Sequence, residues 1–162
     1  MKFLRENGGV VSFNKDAVKT LLDYRQVNIT DKEAGGMLLG RLISYCDDIV
    51  IDEVTTPSSD DEQHRFSFFR KKNLAQKIVE EKWQNSEGTQ IYLGEWHTHP
   101  EEDPTPSASV DINNWCKIIQ NAVYEQEMLF FVIVGTRKTR IWEINKNTKN
   151  MSKLETICFE GS

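Results

Sequence analysis

The sequence has no pair of cysteines at CxxC spacing. Its three cysteines, Cys46, Cys116 and Cys158, are odd in number and widely separated. That excludes a disulfide framework or a thiolate metal cluster and predicts reduced, mostly buried thiols in a cytosolic protein. Long hydrophobic runs are also missing, and none approaches the ~20 residues of a membrane span. The opening segment MKFLRENGG lacks an apolar signal core. Positive charge is in short supply, with 20 Lys and Arg against 25 Asp and Glu for a net charge of −5. Nothing in that balance favours nucleic acid or an anionic membrane. The cluster Arg70, Lys71, Lys72 reads as the solvated start of a helix. No repeat, linker or low-complexity stretch divides the chain. A soluble cytoplasmic protein of one domain, 1–162, is expected.

What is present is an ordinary globular balance, 38% hydrophobic and 28% charged. Residues 9–13 predict a strand, and Asn14 a cap for a helix to about Tyr24, with Ala17, Val18, Leu21 and Leu22 at helical spacing. GGMLLGRLI (35–43) predicts a buried strand and 49–55 the next one. TPSSDDEQHR is polar and turn-rich, so a loop is expected there. RFSFF follows as a short strand, then a helix over 71–84 with Leu74, Ile78 and Val79 inward. Strands are predicted at 91–99, in MLFFVIVG, in TRIWEI and near LETICF, with a helix from Val110 to about Ala122. The class is α/β or α+β, a central sheet between helical layers with about three helices.

Histidine is scarce, with three in the chain, and two stand one residue apart in GEWHTHP. Alternate strand residues share a face, so His97 and His99 project together and are able to grip one ion. Catalytic zinc takes three protein ligands and keeps a position for water. Asp111 is the natural third ligand if Pro100, Pro104 and Pro106 guide the loop back to a helix start near Ser107 or Ser109, either of which is able to cap it. An HxH pair on a strand edge is also compatible with a surface accident, and S/T-x-x-D with a plain helix start. It is proline, loop, serine and aspartate in this order that favour the metal reading. His64, alone in a polar loop, is not counted.

His97-Thr98-His99-Pro100 followed by Ser107 and Asp111 resembles the JAMM motif of the MPN+ (JAB-type) zinc metalloproteases. Glu33 in KEAGGMLLG matches that family's upstream glutamate before a glycine-containing strand. More narrowly, the chain looks like the bacterial JAB isopeptidases of CBASS antiphage operons. The resemblance implies an MPN-like fold with a mixed central sheet, and one Zn2+ per chain on His97, His99 and Asp111. It implies Glu33 as general base and acid, and a serine hydroxyl stabilising the oxyanion.

One departure stands out. The family spaces its serine and aspartate as Ser-x-x-Asp, but here Ala108 lies three before Asp111. Counting from His97 selects Ser107 as the oxyanion donor and leaves Ser109 as helix cap; counting from Asp111 leaves Ser109 open for the catalytic role. Glu95 shares the strand face of the histidines, so it either orients a ligand or is a solvated strand residue. Glu101, Glu102 and Asp103 read as a solvated loop, and Trp96, Trp115 and Trp142 as packing. Residues 57–69 are the candidate for a flap that adds a strand to a modifier's tail. The substrate so implied is a protein conjugate: a ubiquitin-like modifier's C-terminal tail, or a conjugated cGAS-like nucleotidyltransferase. An E1–E2-like ligase would be the functional antagonist. Alternatives are processing of a sulfur-carrier protein and a non-catalytic MPN scaffold.

Overall fold

The computed structural model describes residues 1–121 and 126–158. Its centre is a nine-stranded mixed sheet. The strands in chain order are β1 (Lys2–Leu4), β2 (Val10–Phe13), β3 (Gly35–Leu42), β4 (Ile49–Val54), β5 (Glu62–His64), β6 (Ser67–Phe69), β7 (Ile91–Thr98), β8 (Met128–Val134), β9 (Thr139–Asn145), β10 (Met151–Lys153) and β11 (Glu155–Thr156). The sheet runs β10-β9-β8-β7-β3-β4-β2-β1-β11, while β5 and β6 form a separate hairpin. The β7–β8 and β2–β4 pairs are parallel and the others antiparallel.

Helix α1 (Lys15–Asp23) begins where Asn14 accepts a hydrogen bond from the Ala17 amide, 2.9 Å, as the sequence predicts. It buries Ala17 and Leu21 against one face of the sheet, with Phe3, Val11, Leu38, Leu93 and Trp96. The other face carries α2 (Lys72–Asn85) over Met37 and Leu39, and α3 (Asn113–Asn121) over Leu129, Phe131 and Ile133. A sheet between helical layers is therefore observed.

Four local expectations are corrected. β1 was not anticipated; three residues on an outer strand carry too little periodicity to register. Part of the predicted polar loop is β5, because backbone pairing with β6 needs no apolar side chains. The phase of α2 turns Ala75, Ile78 and Val79 to the sheet and leaves Leu74 exposed. The three cysteines are exposed rather than buried. The predicted helix end at Ala122 lies outside the described residues. No helix among them is long and apolar enough to cross a membrane.

One irregularity in β7 decides where the site can form. Gly94 has φ +134° and adjoins a register shift in the β3–β7 pairing. A Cβ there would lie 1.7 Å from the Phe130 carbonyl oxygen, so only glycine fits. This bulge resets the alternation. Leu93 and Trp96 pack toward α1, whereas Tyr92 and Glu95 face the α2–α3 side.

Candidate metal-dependent active site

Beyond the bulge, His97 projects to the α2–α3 side near the end of β7, and the His99 amide donates to the Val134 carbonyl, 3.0 Å. The two imidazole Nε2 atoms lie 3.1 Å apart. Asp111 Oδ1 is 3.1 Å from His97 Nε2, and Asp111 Oδ2 is 3.2 Å from His99 Nε2. Glu33 Oε1 stands 3.8 Å from His97 Nε2. Ligand atoms of Glu33, His97, His99 and Asp111 all lie within 4.8 Å of one another. A tetrahedral cation with bonds of about 2.0–2.1 Å has donor–donor edges of roughly 3.3 Å. The two histidines and Asp111 match those edges, and Glu33 stands slightly farther back. The donor set fits a small divalent cation.

Asp111 is delivered by an unusual helix start. Residues Ala108–Ile112 form a π-helical turn that runs into α3, with the Ile112 amide donating to the Ser107 carbonyl, 3.0 Å. Ser107 Oγ accepts from the Asp111 amide at 3.1 Å, and the Ser107 amide donates to Asp111 Oδ2 at 2.7 Å. This is a reciprocal cap stretched by one residue. The turn absorbs the extra residue between serine and aspartate, as one-residue insertions in helices do. Of the two serines the sequence offered as caps, Ser107 therefore takes the role, and Ser109, expected there once Ser107 is counted as the oxyanion donor, does not. The Ser109 side chain is exposed and makes no hydrogen bond among the described residues. Ser107's hydroxyl hydrogen stays available, because its oxygen is the acceptor in the cap.

Upstream, the proline-rich loop is stitched to the β8–β9 turn. The Thr136 amide donates to the Glu101 carbonyl, and the Lys138 amide to that of Glu102. Asp103 accepts from Arg140 and Lys138, so one member of the acidic trio is a brace rather than a solvated charge.

Glu33 sits in the loop before β3, 3% exposed. Its amide donates to the His64 carbonyl at 2.7 Å, and Gln63 Nε2 donates to its carbonyl at 3.3 Å. Both partners belong to the β5–β6 hairpin. Gln26, which the sequence did not single out, completes the frame and is 2% exposed. Its Nε2 donates to the carbonyls of Asp31 (3.2 Å) and Arg65 (2.8 Å). Its Oε1 accepts from the Thr98 hydroxyl, whose oxygen accepts from the Ala34 amide, both 2.9 Å. One amide thus ties the Glu33 loop, the hairpin and the histidine strand. No local pattern around Gln26 reveals this, since its partners come from three segments.

Burial pushes the Glu33 carboxyl up to about 8, opposed by His99 and assisted by Asp111 and Glu101. A cation held beside it would favour the ionised form. For Asp111, burial works against ionisation, but hydrogen bonds from His97 and His99 hold the carboxyl well below its usual range. His99 is raised: burial opposes its charge, and Asp111 and Glu33 outweigh that. Its Nδ1 is buried with no hydrogen-bond partner among the described residues. Glu95, the candidate ligand-orienting carboxylate, instead pairs with Arg70 and accepts from the Tyr92 hydroxyl at 3.0 Å. It is thus engaged beside the cluster rather than with either histidine.

The cluster opens into a cavity of about 160 Å3, flanked by Phe68 and Phe69 of the hairpin and by Trp115. A larger one of about 950 Å3 lies around Leu42, Trp83 and Ile91 at the far end of β3 and β7. None of the clustered ligands reaches it, so size alone does not mark the chemistry.

Residues 16–145 match the family of prokaryotic homologs of the JAB domain, and the chain belongs to that family. Among its relatives is a protein of Escherichia coli named CD-NTase/cGAS isopeptidase, 35% identical over 91% of this chain and 88% of that one. A Vibrio cholerae protein of the same name is 34% identical, covering 81% and 80% of the two chains. The fold is shared with a Desulfitobacterium hafniense protein solved in solution, with TM-score 0.60, 20% identity, and 93% and 94% coverage.

Proposed function

We propose that the protein is a zinc-dependent isopeptidase of the JAMM type, acting on a protein conjugated through its C-terminus. The observation that carries this is the Glu33–His97–His99–Asp111 cluster, whose spacing suits zinc with Glu33 as a near neighbour. His97, His99 and Asp111 would hold the ion. Bound there, zinc would supply Lewis acidity toward a water and the scissile carbonyl. Glu33 takes a proton and returns it to the leaving amine, for which a carboxyl buried toward neutral pKa is suited. The Ser107 hydroxyl, fixed by its cap to Asp111, donates to the developing oxyanion. The hairpin β5–β6 lies over the cavity, and its β6 edge receives an extended tail by strand addition.

The names of the relatives support a cGAS-like nucleotidyltransferase conjugate as substrate. On this reading the protein reverses what an E1–E2-like ligase makes in CBASS defence. This reading takes residues 1–162 as one catalytic domain working in the cytoplasm, where the three exposed free thiols remain reduced. The test is to incubate the protein with such a conjugate before and after chelation. Cleavage that vanishes with the metal and returns with one equivalent of zinc is expected; cleavage indifferent to chelation would overturn the reading. A nucleotidyltransferase conjugate left intact beside a processed sulfur-carrier precursor would redirect the substrate.

A further inference from the structure

We propose that the groove between α2 and α3 binds an extended, acidic stretch of the substrate's tail, a few residues before the scissile bond. The groove, about 590 Å3, has a floor of Met37, Ala75, Tyr92 and Ile118 and a rim that includes Lys72 and Lys117. It shares Lys72 and Ile118 with the wall of the catalytic cavity, so the two spaces are continuous. This inference rests on the isopeptidase reading for the identity of the chain that enters.

Charge decides what kind of chain fits. No acidic side chain lines the groove among the described residues, in a protein whose net charge is −5. Arg70 at the mouth is already neutralised by Glu95. Lys72 and Lys117 are exposed and form no ion pair among the described residues. Helix stability does not account for Lys72. It opens α2, whose own first turn holds no acid and whose N-cap, Lys71, makes no side-chain cap, so a cation there opposes the helix dipole. The Asp61 carboxylate accepts from the Lys71 amide at 2.7 Å and forms no ion pair with Lys72. An apolar floor with unmatched cations on the rim complements a peptide that alternates apolar and acidic side chains. The hairpin edge leads such a peptide there, because only Arg70 and Lys71 separate β6 from the first turn of α2.

The test is fluorescence anisotropy on the Glu33→Gln protein with three labelled peptides of one length and apolar pattern, carrying Asp, Ser or Lys at the intervening positions. The aspartate peptide should bind about 10-fold more tightly than the lysine peptide, and added salt should narrow the gap. Lys72→Glu combined with Lys117→Glu should invert the order without lowering the melting temperature, since both side chains are exposed and an acid at the start of α2 suits the helix dipole. Equal binding of the three peptides, binding of none, or an unaltered preference in the double variant would overturn the proposal. Tighter binding of a single-stranded oligonucleotide would also overturn it, by assigning the cations to phosphate. Conjugate cleavage by wild type is measured in parallel. Acid preference without cleavage would sink the isopeptidase reading and spare the groove, and the reverse would sink the groove alone.

Discussion

His97 projects from a strand paired on both sides, with β3 and with β8. Glu33, only 3.8 Å away, projects from a loop whose hydrogen bonds run to Gln26, Thr98 and the β5–β6 hairpin. The proposed ligands therefore inherit the rigidity of a sheet and a capped turn. Glu33, the proposed base, inherits the position of a two-stranded hairpin that lies outside that sheet. Two-stranded ribbons are marginal by themselves, so the hairpin is the softer support. Metal affinity and turnover should accordingly separate: changes on the hairpin side should reach chemistry and spare the metal.

The largest effect belongs to the ligands. His97→Ala with His99→Ala should release the metal and abolish hydrolysis, as elemental analysis and the conjugate assay would register together. Full occupancy in that variant would place the metal elsewhere. Next comes Glu33→Gln, with turnover down by about 100- to 10,000-fold and metal content unchanged. A normally active Glu33→Gln beside a dead Glu95→Ala would transfer the base role to Glu95.

Ser107 sits where the two sides meet. Ser107→Ala should lower kcat by about 100-fold as a lost oxyanion donor and cost about 1 kcal/mol as a lost cap. Ser109→Ala should stay within about 0.5 kcal/mol of wild type. Loss of stability with intact kcat would reduce Ser107 to a cap.

Gln26→Leu tests the hairpin side directly. It strands two carbonyls and the Thr98 hydroxyl, so it should cost about 1–3 kcal/mol. Turnover should fall with metal content steady; loss of metal in step with kcat would break the division between the two sides. The smallest effect is expected at Asp103. Arg140's hydrogen bond, with burial opposing and Lys138 adding, holds its carboxyl well below the usual range. The stabilisation is present above the unfolded pKa near 3.9 and lost as pH falls through the folded value. Asp103→Asn should lower the melting temperature slightly at pH 7, the pair being exposed, and the difference should close in strong acid.

The convergence of His97 and His99 was legible because an HxH pair needs only strand alternation to converge, and a strand over 91–99 is plain in the hydrophobic pattern. Asn14 was legible because capping is a matter of three neighbouring residues. The choice of Ser107 over Ser109 as cap was not, because the π-helical turn that shifts it by one residue is a backbone choice with no composition of its own. Gln26 was hidden for the opposite reason: its partners are brought together by the finished fold. β5 escaped because polar residues pair through their backbones, and Leu74 because a helix's phase is set by what it docks on.

The bulge at Gly94 cuts β7 into two stretches whose inward and outward residues are counted separately. Upstream residues answer to the packing around Leu93; downstream residues answer to the histidine–carboxylate cluster. Sequence drift in the first stretch can therefore repack the interior without rotating the histidines. A single-residue deletion at the bulge would be far more damaging than any side-chain exchange nearby. It would restore strict alternation through the strand, and either Leu93 or both imidazoles would have to change sides. The glycine acts as a clutch between two gear trains on one shaft.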